Sequence, residues 1–370
     1  MDARLDLLVV HSPVGGGHKA AALATVEAAR AAGLSAEALD LFELAPRFAT
    51  APYLFTHFTG QARTPELYGR AFHAANARGG ALEPVRLKID QLLFARLRRR
   101  VRALAPRAIV ATHHLPLVVL GRERRKGRLD APVTCVVTDY VAHACWVERG
   151  VDRFCVPSMH PELGLVRHGV DPAKITMTGI PVRAAFERAR PVRAPASGAP
   201  LRVLVTSGGF GVGPMAAIVR GFAGVRDVEL VVVCGAAEDV EREVRAEARR
   251  VGVAAEVVGF ERDMPARVAA AHVVIGKAGG LTVSETLTAG RPMIVVGAVP
   301  GNEKLNEHFV VGGGAGVAVP PEEAGRAARA LRQWDALEAM GRRARALVVH
   351  DAARRVVDVA CAPLRSARAA

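Results

Sequence analysis

A short apolar run, Leu5 to Val10, ends in His11-Ser12-Pro13-Val14-Gly15-Gly16-Gly17-His18-Lys19, and a helical pattern follows from Ala20 to Ala32. Glycines let a backbone approach a ligand closely, and a helix start just beyond offers unpaired N–H groups to anionic oxygens. Such a turn is a phosphate or oxyanion cradle. At its mouth the imidazole of His18 can take a proton from an alcohol or give one to a phosphate oxygen. Two other readings compete: a purely structural strand-to-helix turn, and a dinucleotide fold, because Asp40 stands about twenty residues on, where an acidic ribose ligand belongs. Against the second, the GGGH run lacks the G-x-G-x-x-G spacing, and Ala20 and Ala21 occupy the place of its last glycine.

A second group follows the apolar run Val133 to Val137: Thr138-Asp139-Tyr140, then His143 and Trp146. It brings an acid, a base and a stacking surface near one another if the segment turns helical; the alternative for Asp139 is a solvated helix cap. The later half carries denser signals. Gly208 and Gly209 sit in a turn after Leu201 to Thr206, and Gly259-Phe260 ends another run, where backbone groups can pair with a base. In Gly276-Lys277-Ala278-Gly279-Gly280-Leu281-Thr282-Val283-Ser284-Glu285, amides and the Thr282 hydroxyl suit phosphate oxygens, and Glu285 suits a ribose diol. The order is not that of a Walker loop. Last comes Pro300-Gly301-Asn302-Glu303-Lys304-Leu305-Asn306, read as a loop whose amides and carboxylate suit sugar hydroxyls.

Every one of these groups stands just after a strand-length apolar run, and such runs alternate with helix-period segments. That rhythm predicts βαβ units and parallel sheets. The stretch 188–200, rich in proline and small residues, reads as a linker, and the rhythm restarts at Leu201. The expected organisation is a first domain over 1–187, a second over 201–345, and a helical tail over 346–370 that packs back on the first. Both would be doubly wound α/β domains of Rossmann type, with ligands outside the carboxyl ends of their strands.

The bulk properties fit. A chain of 370 residues is long enough for two cores, and its 51% hydrophobic and 23% charged composition is that of a globular protein. No apolar window reaches the length of a membrane span, and the N-terminus lacks the pattern of a secretory signal, so a cytoplasmic protein is expected. The five cysteines show no C-x-x-C spacing and are expected to be reduced thiols. A net charge of +14 predicts attraction to polyanions. Arg96, Arg98, Arg99, Arg100 and Arg102 form one basic run, and Arg122, Arg124, Arg125, Lys126 and Arg128 another. Neither is interleaved with stacking aromatics, so nucleic acid is not the expected partner and an anionic membrane surface is. Between Arg47 and Ala75, Tyr53, Leu54, Phe55, Phe58, Leu67, Tyr68 and Phe72 alternate with Arg63 and Arg70 at helical spacing, which fits either a docking surface or a core-facing helix pair.

Taken in order, the GGGH motif, the Thr138-Asp139 to Trp146 cluster, Thr178-Gly179-Ile180-Pro181 to Phe186, the Gly208-Gly209 turn, Gly276 to Gly280 and the Pro300 to Asn306 segment resemble the diacylglycerol glycosyltransferases of glycosyltransferase family 28, over nearly the whole chain. These comprise plant-type monogalactosyldiacylglycerol synthases and bacterial processive diacylglycerol glucosyltransferases. The resemblance implies a GT-B fold, two Rossmann-like domains facing a cleft, and inverting transfer of glucose or galactose from a UDP-sugar to a lipid hydroxyl at the inner membrane face. It implies His18 as base, with Asp139 as second candidate or orienter, and Gly15, Gly16, Gly17, His143 and Trp146 on the acceptor side. UDP would be held by Gly259 and Phe260 at uracil, Glu285 at ribose, and Gly208, Gly209, Lys277, Ala278, Gly279, Gly280 and Thr282 around the diphosphate. Asn302, Glu303 and Asn306 would meet the donor sugar. No cofactor and no metal are expected, since helix dipoles and glycine amides take the metal's place and no Asp-x-Asp motif occurs. Asn302 stands where the family often has Gln, and Leu305 replaces a small or polar residue, which leaves the donor sugar open. Pro13 and Val14 stand where plant-type members carry an acid. A UDP-sugar epimerase, a transferase for a polyprenyl acceptor, and a UDP-sugar-binding protein without turnover are the alternatives.

Overall fold

The computed structural model describes residues 4–46, 50, 51, 66, 67, 69, 70, 76, 83–211, 213–333 and 336–369. Of the apolar and basic residues named above between 47 and 75, only Leu67 and Arg70 fall within this set; the others lie outside the described residues. In chain order the elements are β1 (Leu7–His11), α1 (Gly16–Ala31), β2 (Ala36–Asp40), α2 (Glu83–Leu93), α3 (Ala95–Leu104), β3 (Ala108–Ala111), α4 (His114–Arg125), β4 (Val133–Val136), β5 (Arg153–Val156), α5 (Met159–Arg167), β6 (Ile175–Met177) and α6 (Ala184–Glu187). They continue as β7 (Leu201–Thr206), α7 (Met215–Arg220), β8 (Val228–Val233), α8 (Glu238–Val251), β9 (Ala255–Val258), α9 (Met264–Ala270), β10 (Val273–Gly276), α10 (Gly280–Thr288), β11 (Met293–Val295), α11 (Asn302–Gly312), β12 (Gly316–Ala318), α12 (Ala324–Gln333), α13 (Ala336–Leu347) and α14 (Ala352–Ala369).

Two compact units result, one made of Met1–Ala184 with Val349–Ala370, the other of Ala185–Val348. In the first, a six-stranded sheet runs β2-β1-β3-β4-β5-β6, and every pairing is parallel. Parallel strands covered on both faces read as unbroken apolar runs, and β1 shows why: Leu8 and Val10 point into one core, Leu7 and Val9 into the opposite one. The first core is closed by Phe94, Leu97, Val101, Leu117 and Leu120 from α2 to α4. The second is closed by Ala22, Val26 and Ala29 of α1 and by Val356, Val357, Ala360 and Cys361 of α14. The last helix therefore completes the first unit.

Its return passes Gly179, which has φ +84° and no room: a Cβ there would lie 2.8 Å from Ala352 Cβ and from the Val349 carbonyl oxygen. Only glycine combines that backbone angle with that clearance.

The second unit holds a six-stranded parallel sheet in the order β12-β11-β10-β7-β8-β9. Counted from its own first strand this is the 3-2-1-4-5-6 order of a doubly wound dinucleotide fold. Val203 and Val205 of β7, Val232 of β8, and Val273 and Ile275 of β10 pack against Ile218, Val244, Ala328 and Met340 from α7, α8, α12 and α13.

Two expectations about local structure are corrected. Helix α1 begins at Gly16 and not at Ala20, so two of the three glycines are already helical and His18 sits in the first turn. The Asn302 to Asn306 segment is the first turn of α11 and not a loop; Gly301, at φ 110°, turns the chain into it, and Glu303 in that turn complements the helix dipole.

Candidate functional site

In a doubly wound sheet the crevice opens where neighbouring strands send their connections to opposite sides. In the first unit that point lies between β1 and β3, and the segments leaving those strands carry His18 and Thr112-His113-His114. The Nδ1 atom of His18 is 2.7 Å from the Thr112 carbonyl oxygen and 2.9 Å from the Thr138 hydroxyl oxygen, while the Thr112 hydroxyl donates to the His18 carbonyl at 2.8 Å. A carbonyl oxygen can only accept, so Nδ1 carries the proton and the lone pair of the neutral ring lies on Nε2. This is the tautomer a general base needs. Thr112 and Thr138 are buried, so both contacts are sheltered from water.

Three more rings surround it. His113 meets His18 edge-on with centroids 4.4 Å apart, His114 stands 4.2 Å from His113, and Trp146 lies 6.3 Å from His18 and 6.0 Å from His114. His113 also caps α4, its Nδ1 accepting the Leu115 N–H at 3.2 Å. Reading the sequence missed His113 and His114, although their signal was the same as that of every other group: polar residues just after an apolar strand. Trp146 is brought into the cluster. His143 is buried and its Nδ1 accepts the Cys145 N–H at 3.1 Å, capping the short turn Ala144–Trp146. Asp139 is half-buried, three residues beyond β4 and next to Thr138. Gly15 precedes α1 and supplies no side-chain cap, so the amides of Gly16 and Gly17 belong to an open helix start. His11, at the end of β1, is buried, and burial pushes its pKa down.

In the second unit the crossover point lies between β7 and β10. From β7 come Gly208 and Gly209; from β10 come Lys277, Ala278 and Gly279, the last preceding α10 without a side-chain cap. The turn after β8 abuts the first of these: a Cβ at Gly235 would sit 2.5 Å from the Gly208 carbonyl oxygen. Gly235 is a second residue the sequence reading passed over. Thr282 and Glu285 are half-buried on α10, and Phe260, just past β9 and Gly259, is 63% exposed.

The three residues expected at the sugar are placed differently from one another. Asn302 opens α11 and is half-buried. Glu303 is buried; one carboxylate oxygen is 3.1 Å from Lys277 Nζ and the other accepts the Val299 N–H at 2.8 Å. Asn306 is wholly buried, and its amide nitrogen donates to the Ala278 carbonyl at 2.9 Å.

The basic runs are largely engaged with acids of the first unit. Arg98, Arg102 and Arg128 converge on Glu123, Arg124 holds Asp152, Arg125 holds Glu148 and Arg100 reaches Glu37.

Residues 18–182 match the family model of monogalactosyldiacylglycerol (MGDG) synthase, and 213–320 match the glycosyltransferase family 28 C-terminal domain. A processive diacylglycerol beta-glucosyltransferase of Bacillus cereus (strain AH187) is 26% identical over 245 residues, which cover 61% of this chain and 60% of that one. The chain thus spans about 60% of the length of the curated relatives it matches. Acinetobacter baumannii MurG superposes with a TM-score of 0.61 at 18% identity, covering 96% of this chain and 99% of that chain. Anabaena Alr3699/HepE, solved in complex with UDP, gives 0.54 at 15% identity, covering 99% and 100%. The fold is therefore GT-B, two Rossmann-like units in one chain. Within that class the first unit is similar to monogalactosyldiacylglycerol synthases and the second to the family 28 C-terminal domain.

Proposed function

We propose that the protein transfers a hexose, glucose or galactose, from a UDP-sugar to the hydroxyl of diacylglycerol or a related lipid at a membrane surface. The observation that carries the reading is the His18 imidazole, locked by Thr112 and Thr138 with its basic nitrogen at Nε2, at the crossover point of the unit that matches the MGDG synthase family. The lipid hydroxyl oxygen attacks the anomeric carbon, His18 Nε2 takes its proton, and the bond from that carbon to the UDP oxygen breaks with inversion. Asp139 acts as orienter on the same side, with the helix start at Gly15, Gly16 and Gly17, and with His143 and Trp146 against the acceptor.

On the donor side, amides of Gly208, Gly209, Gly279 and Gly280 and the Thr282 hydroxyl receive the diphosphate and stabilise the charge that develops on departing UDP. Glu285 takes the ribose diol, Gly259 and Phe260 the uracil, and Asn302 and Glu303 the sugar; Lys277 neutralises Glu303. No metal or cofactor enters the proposal.

Contact with the membrane is supported by α2. Val85, Ile89 and Leu92, spaced along one face, are 53%, 52% and 77% exposed, with Lys88 beside them and the exposed Arg96 and Arg99 on the following helix. An apolar ridge with a basic border suits the headgroup zone of an anionic leaflet. Among the described residues no helix is long and apolar enough to cross a membrane.

The test is incubation with UDP-glucose, UDP-galactose and UDP-N-acetylglucosamine in diacylglycerol-containing micelles. Release of UDP together with a new glycolipid is expected with one of the hexose donors. An epimerised nucleotide sugar with no glycolipid would favour the epimerase alternative. Cosedimentation with phosphatidylglycerol vesicles, lost in high salt and in Leu92→Asp, checks the membrane part.

A further inference from the structure

Helix α11 is tied to the segment between β10 and α10 at two points. Glu303 reaches Lys277 at 3.1 Å, and Asn306, three residues later and so on the same helical face, donates to the carbonyl of the very next residue, Ala278, at 2.9 Å. Glu303 is 7% exposed and Asn306 0%. A side chain with no accessible surface has no surface to offer a sugar, yet Asn306 is the residue of this turn that touches the backbone leading into Gly279.

The consequence follows from the planarity of the peptide group. Described peptide bonds here are trans, and in a trans peptide the carbonyl and the N–H of the next residue point in opposite directions. By drawing the Ala278 oxygen toward α11, Asn306 turns the Gly279 N–H away from α11. That N–H is one of the donors at the uncapped start of α10.

We propose that Asn306 is a positioning residue: it does not bind the donor sugar but sets the plane of the Ala278–Gly279 peptide, and so aims the Gly279 amide at the diphosphate. The proposal rests on the reading of this segment as a nucleotide cradle. Asn306 then governs affinity for the nucleotide itself, whichever sugar is attached. Lys277 complements it by fixing Glu303, whose second oxygen is already held by Val299.

Calorimetric binding of UDP and of UDP-glucose to the full chain separates the possibilities. Asn306→Leu keeps the volume and removes the donor. It is expected to weaken both ligands by the same factor, about tenfold or more, the usual consequence of misplacing one hydrogen bond to a charged group. Gly279→Pro deletes the aimed N–H without touching Asn306; the observed φ of −64° at Gly279 is the value proline imposes. It should produce a comparable loss, and the double variant should add little to either single one. This second route keeps the idea testable if Asn306→Leu does not fold. Unchanged affinity for UDP with weakened affinity for UDP-glucose in Asn306→Leu would overturn the proposal and make Asn306 a sugar ligand; so would full additivity in the double variant. If the unaltered protein binds no UDP at all, it is the cradle reading that fails, a result seen before any variant is made.

Discussion

The Nδ1 atom of His18 lies 2.7 Å from the carbonyl oxygen of Thr112, a backbone group that no side-chain substitution removes. The tautomer of the imidazole is thereby built into the path of the chain after β3. Evolution or mutagenesis can alter what surrounds the ring more readily than which nitrogen bears its proton.

His18→Ala is expected to lower transfer by about 10²–10⁴-fold, the range for removing a general base, while leaving UDP affinity within experimental error. Initial rates paired with calorimetric UDP binding check this; undiminished turnover would remove His18 from the mechanism. Thr138→Val, which deletes one of two partners of Nδ1 and leaves the Thr112 carbonyl, should cost only a few-fold in kcat, since the tautomer persists.

His272 is buried against Arg202 and Arg291 in the second unit, its Nδ1 accepting the Arg202 N–H, and burial with those cations holds its pKa down at about 4. The folded form resists protonation and the unfolded chain does not. Stability from this group is therefore complete above pH 6.5 and declines as pH falls from 6.5 toward 4, by about 3 kcal/mol in all. Urea titrations of the second unit's unfolding at pH 7 and pH 4.5 should show the decline. In His272→Asn, which keeps an acceptor but does not titrate, that share of the pH dependence should vanish.

Gly179→Ala should destabilise the first unit by about 2–4 kcal/mol, combining a left-handed backbone angle with a collision against the chain entering α14. Thermal unfolding is one readout. A second is proteolysis: the segment around 349–352 should become susceptible to a protease that leaves the unaltered protein intact.

Cys135, Cys155, Cys234 and Cys361 are buried, and burial pushes the first well above its usual range, Cys155 up to about 12 and Cys234 up to about 11. In the native protein at pH 8 a thiol reagent should titrate Cys145 alone, the rest reacting only on unfolding. Rapid reaction of two or more thiols would contradict the described burial.

Much of this was legible because parallel strands covered on both faces leave uninterrupted apolar runs, as Leu7 to Val10 and Val273 to Ile275 do, and because glycines cluster where such strands end. The strands that escaped reading, β2 and β12, are sheet edges. Ala36–Asp40 alternates with two acids and Gly316–Ala318 is three residues long, so neither carries a run. In the site, residue types were visible and their partners were not. Nothing in the spacing of Thr112, Thr138 and His18 shows that three distant residues share one nitrogen. Nor does a polar loop-like string announce that Asn306 will be buried: that follows from the helix it joins, and the helix from Gly301. The pairing of Arg98 and Arg102 with Glu123, beside the local one of Arg128, is likewise a product of α3 and α4 lying side by side, and it turns an apparent polycation into a partly neutralised surface.

The return of α14 to the first sheet has a temporal side. As the chain leaves the ribosome, residues 7 to 184 emerge first, but one face of their sheet is covered only in part, by α1, until Val356, Val357, Ala360 and Cys361 are synthesised. The 185–348 unit, contiguous in sequence, has everything it needs earlier. What begins first therefore finishes last, and a nascent chain arrested near residue 348 would carry one complete unit and one with an exposed apolar face, the kind of intermediate that calls for a chaperone.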